Sequence, residues 1–176
     1  MYTEILKTSK LDSRTKIQYS LMALMEEYPY SDITISHICQ TAKVSRQTFY
    51  RLFNTKEDVL LAELNRIMQE YKFSKIYLEQ NGKSEFLHFY LFFAGYQKLL
   101  AQLYKSNYMH LLQHVLSRHC DFLIHEPIFR IPHGYDYANE FISATLCSVL
   151  TVWAKMEFKT SCSTLALYTS DFLRGV

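Results

Sequence analysis

Glycine and proline are scarce in this chain, four and three among 176 residues. With so few turn punctuators, a loop-rich architecture is excluded and long helices are favoured. The four cysteines (Cys39, Cys120, Cys147, Cys162) are far apart and form no CxxC pair. They read as reduced, mostly buried thiols of a cytoplasmic protein rather than as a disulfide framework. No apolar run approaches the roughly 18 residues that would read as a membrane span. The N-terminal "MYTEILKTSK" also lacks the apolar centre of a signal peptide. A net charge of +2 is too small for a chain that coats polyanions all over its surface. Catalytic motifs are missing too: there is no glycine-rich phosphate loop, no nucleophile elbow and no HExxH. Ser/His/Asp and Cys/His combinations occur only as scattered residues, so the chain does not read as an enzyme.

Apolar types make up 49% of the residues, enough for a substantial core. Asp12 is placed to cap a first helix running to about Glu27, with Ile17, Leu21, Leu24 and Tyr28 on one face. Pro29 ends it, because the residue before a proline avoids helix. Thr34 caps a second helix with an Ile35, Ile38, Cys39, Ala42 stripe. Ser45 caps a third, with Phe49, Leu52 and Phe53 inward. Helices this short are not stable alone and must pack on the first. "TKED" at Thr55–Asp58 resembles a capping box and opens a fourth helix predicted to reach about Gln80, before the stop signal Asn81–Gly82. Further helices are expected at about 84–104, 108–125, 137–158 and, capped by Ser163, 164–173. One long loop separates the second and third of these, at Glu126–Asp136.

The run "TISHICQTAKVSRQTFYRLFNTK" (Thr34–Lys56) carries Lys43, Arg46, Arg51 and Lys56 and no acidic residue, although acidic residues flank it on both sides. Two short helices meeting at Ala42-Lys43-Val44 have the form of a helix-turn-helix, whose second helix lies in a DNA major groove. Its outward residues are Ser45, Arg46, Gln47, Thr48, Tyr50 and Arg51. Arginine forks onto guanine and glutamine onto adenine, while hydroxyls donate to phosphates. An acid-free patch removes repulsion from the phosphate backbone.

The segment "ITISHICQTAKVSRQTFYRLFNTKEDVLLAEL" resembles the DNA-binding segment of the TetR family of bacterial transcriptional regulators. The residues that carry the resemblance are Thr34, Ile35, Ile38, Ala42, Val44, Ser45, Thr48, Phe49, Tyr50, Phe53, Lys56, Glu57 and Leu60. Two departures stand out. Lys43 occupies a turn position that is often glycine in the family, which a lysine tolerates if its φ stays negative. Tyr28–Pro29 follows the first helix where the family often has glycine. Carried over by position, the resemblance implies phosphate contact by Thr34, base contacts by Arg46 and Gln47, and phosphate or thymine-methyl contacts by Ser45, Thr48 and Tyr50. It also implies a backbone contact by Arg51 and a phosphate grip by Lys56, while Lys43, as a departure, is expected to add a phosphate contact of its own.

The resemblance further implies an all-α fold. A three-helix helix-turn-helix unit (1–54) binds DNA, and a long fourth helix joins it to a helical domain (55–176) for effector binding and dimerisation. Ligand in that domain would tilt the fourth helix and so change the spacing of the two recognition helices of a homodimer on a palindromic operator, acting as a repressor. Aromatic residues crowd the second half. They read either as ordinary core or as a pocket for an unidentified small-molecule effector, with Phe89, Phe93, Tyr96, Tyr104 and Phe122 as its candidates. His110, His114, His119, Cys120 and His125 form no tight ligand set, so neither metal nor cofactor is expected. Wide apolar and small-residue faces predict the dimer interface at about 137–158 (Phe141, Ala144, Thr145, Ser148, Val149, Val152, Trp153) and 164–173 (Leu165, Leu167, Tyr168, Phe172). A second reading stays open: an adaptor of the same fold that binds a protein partner instead of DNA. Acids or lost polar residues on the third helix would favour the adaptor, and this helix keeps its polar set.

Overall fold

The computed structural model describes residues 2, 6, 11–76, 85–119 and 135–174. Every regular element among them is helical. The helices are α1 (Ser13–Glu27), α2 (Ile35–Ala42), α3 (Arg46–Leu52), α4 (Lys56–Ile76), α5 (Glu85–Ala94), α6 (Gln97–Lys105), α7 (Met109–His119), α8 (Tyr135–Lys155) and α9 (Cys162–Arg174), with one 3-10 turn at Tyr30–Asp32. The chain divides into two compact units, Met1–Arg66 and Ile67–Val176, with the division falling inside α4.

In the first unit α1 packs against α2 and α3, and α2 against α3. The helix starts follow the local capping chemistry. The Asp12 carboxylate accepts from the Thr15 N–H at 2.9 Å, and that bond holds its pKa below the usual value. The Thr34 and Ser45 hydroxyls accept from the N–H groups of His37 and Thr48 at 3.2 and 3.0 Å. At the start of α4 the box is reciprocal. The Thr55 hydroxyl accepts from the Asp58 N–H at 3.1 Å, while the Asp58 carboxylate accepts from the N–H groups of Asn54 and Thr55, both at 3.0 Å. α1 is more enclosed than a one-faced stripe: Ile17, Gln18 and every residue from Ser20 to Met25 are buried. Tyr28 departs from the expected stripe. It follows the helix in extended conformation before Pro29 and lies 42% exposed, edge-on to His37. Glu63 of α4 is wholly buried, clasped by the Arg66 guanidinium at 2.8 Å and the Tyr2 hydroxyl at 3.0 Å.

In the second unit α5 packs on α9, α6 and α7 pack on α8, and α8 also meets α9. The Tyr90 hydroxyl and Thr169 Oγ1 lie 2.6 Å apart, joining α5 to α9 by a buried bond. Three predicted helices are corrected here. The segment at 84–104 is not one helix: it breaks at Gly95, where the N–H groups of Gly95 and Tyr96 turn back to the Phe92 and Phe93 carbonyls. The helix expected to reach 158 ends at Lys155, because Glu157 and Phe158 adopt left-handed conformations (φ 53° and 58°) and the Phe158 N–H closes onto the Trp153 carbonyl. The last helix starts two residues earlier than expected, at Cys162. Its first free N–H groups are met by Ser161, whose hydroxyl accepts from the Thr164 N–H at 3.2 Å. The stop at Asn81–Gly82, the helix end at 125 and most of the loop at Glu126–Asp136 lie outside the described residues.

Candidate nucleic-acid interface

The turn between α2 and α3 departs from the sequence expectation. Lys43 has φ 54° and ψ 44°, in the left-handed region, not at negative φ. The Val44 N–H closes onto the Cys39 carbonyl at 3.0 Å and the Lys43 N–H onto the Gln40 carbonyl at 3.2 Å. This closure satisfies the last α2 carbonyls and requires a left-handed residue, so the lysine bears the strain that glycine would avoid. Its side chain is left exposed beside α3.

α3 is held from beneath. Phe49 is fully buried and Phe53 nearly so, on the side where Ile38, Cys39 and Ala42 of α2 are also buried. Burial pushes the Cys39 thiol pKa up, with the nearby Arg46 charge opposing. The opposite side of α3 and its cap present Ser45, Arg46, Gln47, Tyr50 and Arg51 to solvent, with Tyr50 51% exposed. Thr48 is half-buried, and its hydroxyl bonds Ser45 Oγ at 2.9 Å. Thr34 is exposed at the start of α2. The structure thus gathers Thr34, Lys43 and the Ser45–Arg51 row on one helix-turn-helix, with no carboxylate anywhere in it.

Lys56 is placed differently. Its Nζ donates to the carbonyls of Tyr30 (2.8 Å), Ile33 (2.9 Å) and Ser31 (3.4 Å) and sits 4.4 Å from the Tyr30 ring centre. Sequence reasoning missed Arg14. Its Nη2 donates to the Leu52 carbonyl at 3.2 Å, and its guanidinium lies 4.6 Å over the Phe53 ring, closing the C-terminal end of α3. The available signal was that α3 ends without glycine, so its last carbonyls need a donor from elsewhere.

Of the residues expected around an effector, Phe89, Phe93 and Tyr96 come together. The Phe89 and Phe93 rings are buried with centres 4.7 Å apart, Phe89 meets Tyr71 edge-on, and Phe93 lies 6.5 Å from Tyr96. The Tyr96 hydroxyl donates to Glu70 at 3.1 Å. Tyr104 is half-buried on α6, and Phe122 lies outside the described residues. Among the described residues no three metal-ligating side chains cluster, and no helix is long and apolar enough to cross a membrane.

On α8 and α9 the expected interface residues divide. Trp153 and Leu165 are buried, with the Trp153 Nε1–H donating to the Thr160 carbonyl at 2.9 Å. Phe141, Val152, Leu167, Tyr168 and Phe172 stay exposed, Tyr168 by 65%. Between the helices lies an apolar hollow of about 290 Å³, lined by Val149, Val152, Trp153, Met156, Leu165 and Tyr168 among others.

The model of the bacterial regulatory proteins of the tetR family matches residues 21–62. The HTH-type transcriptional regulator EthR of Mycobacterium tuberculosis is 40% identical over 47 residues, which span 27% of this chain and only 22% of EthR. Two solved structures share the fold over nearly the whole chain. A TetR transcriptional regulator from Streptococcus agalactiae superposes with a TM-score of 0.65 at 20% identity, covering 92% of this chain and 93% of its own. FadR of Thermus thermophilus, a transcriptional repressor solved with lauroyl-CoA, superposes with a TM-score of 0.63 at 16% identity, covering 91% and 92%.

Proposed function

We propose that this chain, whose residues 21–62 match the TetR-family model and whose fold matches a TetR regulator, is a homodimeric, sequence-specific DNA-binding repressor of the cytoplasm, acting on a palindromic operator. The observation that carries the reading is the outward row of α3: Arg46, Gln47, Tyr50 and Arg51 stand exposed on a capped helix, with Lys43 in the turn before it and no acid among them. In this reading residues 1–54 read DNA and 55–176 dimerise and receive the effector. Arg46 and Gln47 meet base edges in the major groove. Thr34, Lys43, Ser45, Thr48, Tyr50 and Arg51 meet phosphates or thymine methyls. A second copy covers the exposed apolar residues of α8 and α9, whose extent exceeds what scattered surface apolar residues explain.

Selection of bound sequences from a random duplex pool with purified protein tests the proposal. A single enriched palindrome is the expected result. Enrichment of none favours an adaptor that works through a protein partner. For the ligand response, lauroyl-CoA is the first probe, since the fold-sharing FadR holds it. A ligand reaching Phe89 and Phe93 must part rings that already pack together, so binding should move their environment. Aromatic resonances or fluorescence unchanged at saturating lauroyl-CoA would remove that compound and leave other effectors to be screened.

A further inference from the structure

Lys56 is the first residue of α4, just past α3, yet its ammonium reaches back to the turn that precedes α2. The carbonyls it bonds belong to Tyr30, Ser31 and Ile33, and the next residue, Thr34, caps α2. One side chain therefore ties the point where the chain enters the helix-turn-helix to the point where it leaves. An ammonium has three N–H donors, and three carbonyls stand around this one. The Tyr30 ring beneath it is 1% exposed and Lys56 itself is half-buried, so the ammonium sits at the edge of the unit's core. Arg14 does the corresponding work at the far end of α3, on the Leu52 carbonyl. Both cations are turned onto backbone carbonyls, whereas Lys43, Arg46 and Arg51 point to solvent.

We propose that Lys56 is a positioning residue and not a phosphate ligand: it clasps the entry of α2 to the start of α4 and so sets the attitude at which α3 is offered to DNA. The proposal rests on the DNA-binding reading above for its consequence, but the clasp itself is testable without DNA. Moving the ammonium to a phosphate would break charge-assisted bonds to carbonyls at a helix end, while an exposed lysine such as Lys43 gives up nothing comparable.

The test uses the full chain and the variants Lys56→Met, which keeps much of the stem, and Lys56→Gln, which keeps one donor group but no charge. Operator affinity is measured across a salt series, well below each variant's melting temperature. Amide hydrogen exchange is measured on the same proteins without DNA. The expected result is operator binding weakened about tenfold or more, as loss of a charge-assisted bond allows, with the salt slope unchanged. Exchange should rise over residues 30–42 and stay constant in the second unit. A slope reduced by about 0.9 for each lost contact identifies a phosphate ligand and overturns the proposal. Intact affinity with only a lower melting temperature also overturns it, leaving a purely stabilising residue. If the wild-type chain selects no duplex, the DNA reading fails on its own. The exchange data then decide the clasp: unchanged protection over 30–42 refutes it and raised exchange supports it.

Discussion

The two units of this protein solve the same problem, ending helices and covering apolar surface, by different means. In the first unit the helices around the turn have eight and seven residues, and side chains finish their starts (Thr34, Ser45), the end of α3 (Arg14) and the start of α4 (the Thr55–Asp58 pair), while α2 ends in the backbone closure at Lys43. In the second, α8 runs for 21 residues, and α6 and α8 end in backbone closures with Asn107 and Glu157 at positive φ. Short helices cannot hold themselves, so specific residues must hold each end. A long helix such as α8 can rest on its apolar stripe. The family model falls on residues 21–62, while the rest of the chain shares only its fold with the solved structures. The exposed surfaces differ too: polar and basic on the first unit, apolar on α8 and α9 of the second.

The largest effect should come from breaking the apolar surface. Tyr168→Asp together with Leu167→Glu should convert a dimer at micromolar concentration to a monomer, read by sedimentation equilibrium. Operator affinity should fall about 10²–10⁴-fold as linkage of the two half-sites is lost. A wild-type chain that sediments as a monomer yet binds the full palindrome would break the comparison instead.

Next in size are the base contacts. Arg46→Ala and Gln47→Ala should each cost about 1–3 kcal/mol per half-site and relax preference at one base pair, read by competition with single-base operator variants. Unchanged base preference in both would remove α3 as the reading element.

Within the second unit, Thr169→Val leaves the buried Tyr90 hydroxyl without that partner and should cost about 1–3 kcal/mol in denaturant unfolding. Burial pushes Tyr90 to about 12, with the Thr169 bond opposing. Unfolded tyrosine ionises near 10, so the unfolded state loses its proton first and stability falls as pH rises from about 10 toward 12. Tyr90→Phe should flatten that alkaline loss. An unaltered pH profile in the variant would assign the loss to other groups.

The smallest effect should be at the turn. Lys43→Gly relieves left-handed strain of about 1–2 kcal/mol, partly offset by the entropy of a freer unfolded chain. Thermal unfolding should show a slight gain or no change. Operator binding should weaken with a reduced salt slope, because an exposed charge is lost. Stability lost at this position would contradict the strained geometry.

What the sequence determined by itself was local. Asp12, Thr34, Ser45 and the Thr55–Asp58 box mark helix starts because a cap bonds its own chain only three or four residues on. The outward row of α3 was legible for the same reason, since helical spacing puts Arg46, Gln47 and Tyr50 opposite Phe49 and Phe53. Helix ends were less legible. The left-handed Lys43, Glu157 and Phe158 and the break at Gly95 depend on packing that compensates local strain, which no short window displays. Tertiary structure alone decided where Arg14 and Lys56 went. Arg14 meets a carbonyl 38 positions away and Lys56 meets carbonyls 23 to 26 positions back. Sequence spacing carries no information at that range, because only the folded path of α1, α2 and α4 brings those atoms within hydrogen-bond reach.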